Sequence, residues 1–390
     1  MKSKIENGTL TIYLEGRIDS TCAPQLEKDI AEELKQHSYD SLVMNAKELE
    51  YISSAGLRVM LKLRQSEKSF KIINANQEVY EIFDMTGFTE IMDISRAYHK
   101  MSVDGCEIIG KGAKGTVYRY DPETVVKVYN NPDSLADIQN ERKLARTAFV
   151  LGVPTAISYD IVRVDGMFGS VFELLDAKSY TQLFRDDSAN TDKYVKDLAD
   201  LLNTIHGTIV KPEDMPDYKL TSAKWLSVDK DFLPTETFEK LSAMVDAVPD
   251  THTMIHGDYH SNNVMFLNNE PIIIDMDTLS NGHPIFELAN VYTAYVGFGE
   301  TMPEMTEDFL GLPYETAKSI WYKLLPEYLG TINKDEIETV NDKTRLLAYV
   351  RILRHIVRRG DHKTEKGAAQ IKYYIDNIIE LTSKLDRLDF

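Results

Sequence analysis

The chain has 390 residues, 43% hydrophobic and 27% charged, the balance of a folded globular protein. Because a single core rarely outgrows about 250–300 residues, two domains are expected. The net charge is −18, with −4 on residues 1–97 and −14 on the rest, which argues against nucleic acid as the main partner, since phosphate contacts need clustered Lys and Arg. Two cysteines, Cys22 and Cys106, stand in no metal-binding spacing and read as free thiols of a reducing compartment. The opening MKSKIENGTLTIYLEG lacks the apolar core of a signal peptide, and no run approaches 18 apolar residues. The expectation is a cytoplasmic protein with neither nucleic-acid nor membrane partners.

From residue 8 to about 94, strand and helix patterns alternate. Thr9 to Leu14 alternates apolar and polar residues as a strand does. Pro24 to Lys35 places Leu26, Ile30, Ala31 and Leu34 at helical spacing. A short apolar strand is expected over Ser41–Met44, a helix over Ser54–Lys68, a strand over Phe70–Ile73, and a short helix over Gln77–Met85 that stops at Gly87. Such alternation in under 100 residues makes a small α/β domain. Ser53 and Ser54 stand at the start of the helix expected over Ser54–Lys68. Serine is a preferred N-cap, and a helix N-terminus also favours a phosphoserine through its dipole and free N–H groups, so both readings stay open here.

A seam follows near residues 95–103, and the grammar changes at Cys106. Residues 109–117 read IGKGAKGTV, in which Gly110, Gly112 and Gly115 fall on G-x-G-x-x-G-x-V. Glycines let a backbone approach phosphate oxygens closely, though a glycine-rich hairpin explains the pattern as well. Twelve residues later comes Lys127, inside the strand-like VVKVY, and fourteen further on Glu141 lies in a helical stretch. A kinase uses such a Lys to hold the α- and β-phosphates and such a Glu to steady it, whereas an edge-strand Lys and a wet helix face are the structural alternatives. After about residue 177 the pattern is mainly helical, with helices expected at Tyr194–His206, Thr237–Val248 and Arg345–Arg359.

The most informative stretch is IHGDYHSNNVMF, residues 255–266, followed by PIIIDMD. Asp258 and Asn263 share a short loop. Asp275 follows an apolar strand, where an uncompensated carboxylate would be costly. Together these residues supply what metal-assisted phosphoryl transfer needs. Asp258 would orient an attacking hydroxyl, while Asn263 and Asp275 would bind Mg²⁺ through oxygen. The segment PEDMPDYKLTSAKWLSVDKDF is acidic with one Trp and hints at a cationic acceptor through Trp225, or at simple packing of that ring. Arg351, Arg354, Arg358 and Arg359 point the other way, to an anionic acceptor or a plain helix face.

These motifs carry a resemblance. Residues 106–390 resemble the aminoglycoside phosphotransferase and choline kinase group, which shares the protein-kinase-like fold. The carrying residues are GKGAKGTV, Lys127, Glu141, LLNTIHG, HGDYHSNN and IDMD, and the HGD where protein kinases have HRD favours the small-molecule branch. The resemblance implies ATP, with GTP open, and Mg²⁺ as cofactors. It also implies Asp258 as base, an adenine-contacting hinge at Glu173 and Leu175, an extra carboxylate in Asp277 and a loop-shaping role for His256. Glu287, in PIFELAN, stands where that group usually shows Asp and would still brace the loop.

Residues 8–94 resemble the STAS domain of anti-sigma factor antagonists, through GRIDS, ISSAGLRVML and the MTGF turn. Such domains are non-enzymatic switches bound by a protein partner according to serine phosphorylation. The resemblance makes Ser54 the first candidate phosphosite and Ser53 the next, although Ala55 and Ser53 depart from the usual D-S-S-G.

The expected architecture is therefore a two-domain chain. An α/β STAS domain spans 1–97. An α+β kinase-like domain spans 98–390, with a small β-rich lobe over about 104–176 and a larger, mainly helical lobe over about 177–390. The expected activity is transfer of a nucleotide γ-phosphate to a hydroxyl of a small molecule. Two rival activities are phosphorylation of a serine on its own or a partner STAS domain, and a non-catalytic nucleotide-sensing scaffold.

Overall fold

A computed structural model describes residues 2–390, which separate into two compact units. The first comprises the chain up to Gly105 together with Ile161–Gly169, and the second comprises Cys106–Asp160 and Ser170–Phe390.

In the first unit a five-stranded sheet runs in the order of the sequence: β1 (Lys2–Glu6), β2 (Thr9–Ile18), β3 (Ser41–Ile52), β4 (Phe70–Ala75) and β5 (Asp93–Arg96). Only the β1–β2 pair is antiparallel; the other pairs are parallel. Parallel neighbours need crossover connections, supplied by α1 (Ala23–Gln36), α2 (Ser54–Ser66), α3 (Gln77–Met85) and the one-turn α4 (Phe88–Ile91). Leu10 pairs in register with Leu42 and Ile12 with Met44, and all four are fully buried. Each such side chain contributes about 1.5–3 kcal/mol of burial free energy. β3 runs to Ile52, well past the expected Met44, because its second half alternates buried Ala46, Leu49 and Ile52 with exposed charged residues. The unit is completed by β6 (His99–Met101), which pairs in parallel with Val162–Val164.

The second unit opens with the antiparallel strands β7 (Glu107–Lys111), β8 (Gly115–Arg119) and β9 (Thr124–Tyr129). In chain order they are followed by α5 (Leu135–Val150), by β10 (Asp160–Val164), which belongs to the first unit from Ile161 on, and by β11 (Met167–Glu173), which enters the second unit at Ser170. Past Leu174 the chain is mainly helical, with β12 (Lys178–Ser179), α6 (Tyr180–Asp186), α7 (Thr191–Gly207), α8 (Tyr218–Asp229) and α9 (Thr235–Asp246). Two short hairpin-like elements follow: β13 (Thr253–Ile255) pairs with β16 (Ser280–Gly282), and β14 (Val264–Leu267) pairs with β15 (Glu270–Ile273). The helices α10 (Pro284–Tyr292), α11 (Pro303–Leu310), α12 (Tyr314–Leu329), α13 (Lys334–Arg359) and α14 (Glu365–Lys384) close the unit. One apolar core gathers α7, β13, α10, α12 and α13 around buried Trp321, Tyr292 and Tyr349. The observed architecture is thus an α/β unit followed by an α+β unit that is β-rich at its start and mainly helical after it. Among the described residues no helix is long and apolar enough to cross a membrane.

Candidate active site

The site forms in the second unit, where the loop after β13 meets the end of β15. In the loop Gly257 has φ +85°, and a Cβ on it would lie 2.7 Å from the Thr278 carbonyl oxygen, so only glycine fits between His256 and Asp258. The loop hangs on α10. That helix starts where His283 Nδ1 accepts the Ile285 N–H at 3.1 Å and Pro284 sets the first turn. Its Glu287, fully buried, accepts the backbone N–H groups of His256, Gly257 (2.9 Å) and Tyr259 (3.4 Å). Burial raises the Glu287 carboxyl, against His256 and the backbone donors. One turn on, Asn290 Nδ2 donates to the Gly257 carbonyl at 3.0 Å and to Tyr218 Oη at 2.6 Å. The brace implied for Glu287 is therefore present, and Asn290 is a second brace that the sequence reading missed. Its signal was the i, i+3 spacing, which places both side chains on one helix face.

His256 ties this loop to β15. Its Nε2 faces the Ile274 carbonyl at 3.2 Å and its Nδ1 lies 3.3 Å from the Asp258 N–H. Asn263 donates from Nδ2 to the Asp258 carbonyl at 3.0 Å. The Asn263 carbonyl accepts the Ile274 N–H at 2.9 Å, next to Asp275. Burial alone would raise Asp258, but His260 (Nε2 3.5 Å from Oδ2), Arg351 and His256 outweigh it and hold the carboxyl at about 2.

Asp275 does not continue the strand. It takes φ +63°, ψ +65°, a left-handed conformation that costs a non-glycine residue about 1–3 kcal/mol and that clusters at functional sites. The turn exposes its carboxylate, with 39% of the side chain accessible, 2.8 Å from Lys127 Nζ. Lys127 Nζ also lies 3.3 Å from Glu141 Oε1. Burial opposes the charge on Lys127, but Glu141 and Asp275 prevail and its pKa is raised. Burial raises Glu141 in turn, and Lys127 opposes it. Two further residues complete the cluster without having been expected. Tyr129 Oη donates to Glu141 Oε2 at 2.9 Å, and the two-residue strand period that puts it on the face of Lys127 was its signal. Lys114, at the turn between β7 and β8, pairs with Asp277.

Of the three loop glycines, Gly115 is required by the sheet: a Cβ there would meet the Val128 carbonyl oxygen at 2.4 Å. Gly110 and Gly112 meet nothing closer than 3.6 Å and 4.0 Å. Packing does not demand those two glycines. Glu173 ends β11, and just after it the Leu174 N–H donates to the Glu123 carbonyl at 2.7 Å, which anchors the segment leading to Leu175.

Carboxylate oxygens of Glu141, Asp275 and Asp277 lie within 4.8 Å of one another. An all-oxygen set of this kind suits a hard divalent cation such as Mg²⁺. Lys127 and Lys114 offset two of its three negative charges.

In the first unit Ser53 is the N-cap of α2, its Oγ accepting the Gly56 N–H at 3.5 Å. Ser54 is the first helical residue and is exposed.

Comparison with known proteins adds two families. The profile of the phosphotransferase enzyme family matches residues 105–317, and that of the STAS domain matches residues 1–101. A Bordetella bronchiseptica protein named as anti-sigma factor antagonist BtrV is 33% identical over 95 residues, covering 23% of this chain and 81% of that protein. The anti-sigma F factor antagonist of Paenibacillus polymyxa is 25% identical over 91 residues, 22% of this chain and 78% of its own. Among solved structures, ADP-bound aminoglycoside phosphotransferase APH(2'')-Ib aligns over 80% of this chain and 99% of its own, at 15% identity and TM-score 0.48. A choline/ethanolamine kinase family protein from Mesorhizobium loti aligns over 71% and 87%, at 14% identity and TM-score 0.45.

Proposed function

The chain belongs to the phosphotransferase enzyme family and carries a STAS domain at its amino end, and on that premise we propose that it moves the γ-phosphate of ATP to a hydroxyl group of a small molecule. The observation that carries this reading is the clustering of Lys127, Glu141, Asp275 and Asp277 in the same unit as an Asp258 loop suspended from Glu287. What a bound nucleotide and Mg²⁺ supply is a transferable phosphoryl group with its oxygen charge neutralised. Asp275, with Asn263 and Asp277, would hold the metal, and Lys127 would hold phosphate oxygens while Glu141 steadies it. Gly110 and Gly112, free of packing demands, leave room for phosphate beside the β7–β8 turn, and Glu173 and Leu175 would border the base.

Asp258 receives the hydroxyl proton of the acceptor. The new bond forms between that hydroxyl oxygen and phosphorus as the bridging P–O bond breaks, and a nucleoside diphosphate leaves. A carboxyl held at about 2 is a weak base. It therefore acts chiefly by orienting the hydroxyl, which suits a loose phosphoryl transition state that needs positioning more than proton abstraction. The STAS domain is proposed as a protein-binding or regulatory module, with Ser54 and then Ser53 as its phosphosite. The proposed division places it at residues 1–97 and the phosphotransferase at 98–390.

Calorimetric titration of the full chain with ATP and with GTP tests the nucleotide site. Binding that requires Mg²⁺, is lost with EDTA and weakens at least tenfold in Lys127→Met is expected. Metal-independent binding that Lys127→Met leaves unchanged would refute the assignment.

A further inference from the structure

The carboxyl half of α13 carries a charge pattern that phosphate handling does not use, and it lies beyond the family match at 105–317. Arg351, Arg354, His355 and Arg358 follow the spacing i, i+3, i+4, i+7, which puts four basic side chains in one sector of the helix. Trp225 of α8 lies beneath it, with the guanidinium carbons of Arg351 and Arg354 at 5.3 Å and 4.9 Å from its ring centre. Arg351 also donates to Asn290 Oδ1. The sector therefore begins at the brace of the Asp258 loop. His355 lines a cavity of about 580 Å³ with Phe298, Met302, Phe309 and Tyr374, a volume in the range of small-molecule sites. Phe309 packs its ring 4.9 Å from that of His260, the neighbour of Asp258. Phe309 thus links the cavity lining, which also carries Asp308, Arg359, Asp361 and Lys366, to the histidine beside Asp258.

Acidic partners are plentiful in a chain with 62 Asp and Glu. Arg345 and Arg359 on the same helix have them, in Asp342 and Asp361. Among the described residues Arg351, Arg354 and Arg358 have no carboxylate within 4 Å. The helix dipole favours cations in the last turn, which accounts for Arg358 but not for Arg351 two turns earlier. The carboxyl that faces Arg354 is Asp229, wholly buried with neither oxygen hydrogen-bonded, and burial pushes it up to about 8. Near neutral pH it is mostly protonated and gives Arg354 little counter-charge, while Arg351 also feels the ionised Asp258. Burial and then the charges of Arg358 and Arg351 lower Arg354. Such crowding is relieved by an anion.

Resting on the phosphoryl-transfer reading, we propose that the acceptor is a hydroxylated small molecule bearing a carboxylate or a phosphate. Its anionic group is held by Arg351, Arg354 and Arg358 over Trp225, and its body occupies the cavity beside His355. The same geometry argues against Trp225 as a cradle for an ammonium group, because the ring already carries two guanidinium partners.

The test is calorimetry on the full chain saturated with AMP-PNP and Mg²⁺, using probes on one scaffold: gluconate, glucose 6-phosphate, glucose and glucosamine. Gluconate or glucose 6-phosphate is expected to bind at least tenfold tighter than glucose and glucosamine, and the tighter of the two identifies the anion. Arg354→Gln should weaken that binding at least tenfold and Arg354→Lys should recover part of it. Lys196→Gln, which removes an exposed charge on α7, should change nothing. Equal or tighter binding of glucose or glucosamine, no anion binding, or an unchanged Arg354→Gln would overturn the proposal. Anion binding that depends on Arg354 in a chain that transfers no phosphate would instead contradict the phosphotransferase reading and leave the anion site standing.

Discussion

Two charged clusters of the second unit are handled in opposite ways. Around Lys127 every carboxylate lies against a lysine: Glu141 and Asp275 share Lys127, and Asp277 has Lys114. On α13 three arginines crowd together without an ion pair, and the carboxyl that faces Arg354 is largely neutral. The first cluster is compensated to within one negative charge, so a metal and a polyphosphate can enter by exchanging partners with the lysines. The second is unbalanced and gains most from an anionic ligand. Compensation marks a site that must stay ordered without its ligand, and lack of it marks a site whose ligand brings the missing charge.

The comparison can be broken first at Asp258, which stands between the two. Asp258→Ala should lower transfer by about 10³-fold or more while circular dichroism stays that of the wild type. The wild-type rate should show no loss attributable to Asp258 between pH 5 and 8. Its carboxyl is depressed to about 2, so the ionised form, and any stability it contributes, is present above the ordinary carboxylate range and lost only as pH falls through about 2.

The next largest effect is structural. Glu287→Ala would strip three loop N–H groups of their buried acceptor and should cost about 3–5 kcal/mol in denaturant unfolding of the second unit. Arg354→Gln should cost under about 1 kcal/mol, because it has no ion pair to lose. Similar losses for the two variants would erase the contrast between a built-in charge and a waiting one.

Asp229 sharpens the second half of the comparison. A carboxyl raised to about 8 in the folded state keeps a proton that the unfolded chain gives up near pH 4. The unfolded state therefore binds fewer protons between those values, and stability falls as pH rises from about 4 to 8. Asp229→Asn should remove that slope and stabilise the protein at pH 8 by on the order of 5 kcal/mol, with the gain fading toward pH 4. A pH-independent difference in unfolding free energy would show that Asp229 is ionised and paired with Arg354.

The smallest effects belong to the first unit. Ser53→Ala should cost about 0.5 kcal/mol, since its cap bond is long, and Ser54→Asp should stabilise α2 by about 0.3–1 kcal/mol through the dipole. Both are measurable by urea unfolding of the full chain. A large loss in Ser54→Asp would show that this helix end does not accept negative charge and would count against phosphorylation there.

The two-domain order and both fold types could be read from the sequence because alternation, helical spacing and the order of the loop motifs are local signals. The helical half of α13 from Lys334 was not, because its exposed, charged first turns carry no apolar period. The second half of β3 was hidden in the same way by Lys47, Glu48 and Glu50. Within the site, residues marked by their type in a strand or loop, such as Lys127 and Asp275, could be named in advance. Their supports were harder: Tyr129 and Asn290 carried only a spacing signal relative to Lys127 and Glu287, and Lys114 acts through a contact far along the chain. Asp229 gave no sign at all, because a single Asp near a helix end normally reads as solvated, and only the packing of α8 shows it buried.

The most direct test of the central claim uses the full chain with Mg²⁺, ATP labelled in the γ-phosphate, and a panel of hydroxylated acceptors, read by mass spectrometry of small molecules and of the protein. The account predicts a labelled phosphate ester on a small anionic acceptor, ADP in equal amount, and neither in Asp258→Ala. Label found only on Ser53 or Ser54, or product formation unchanged in Asp258→Ala, would contradict it.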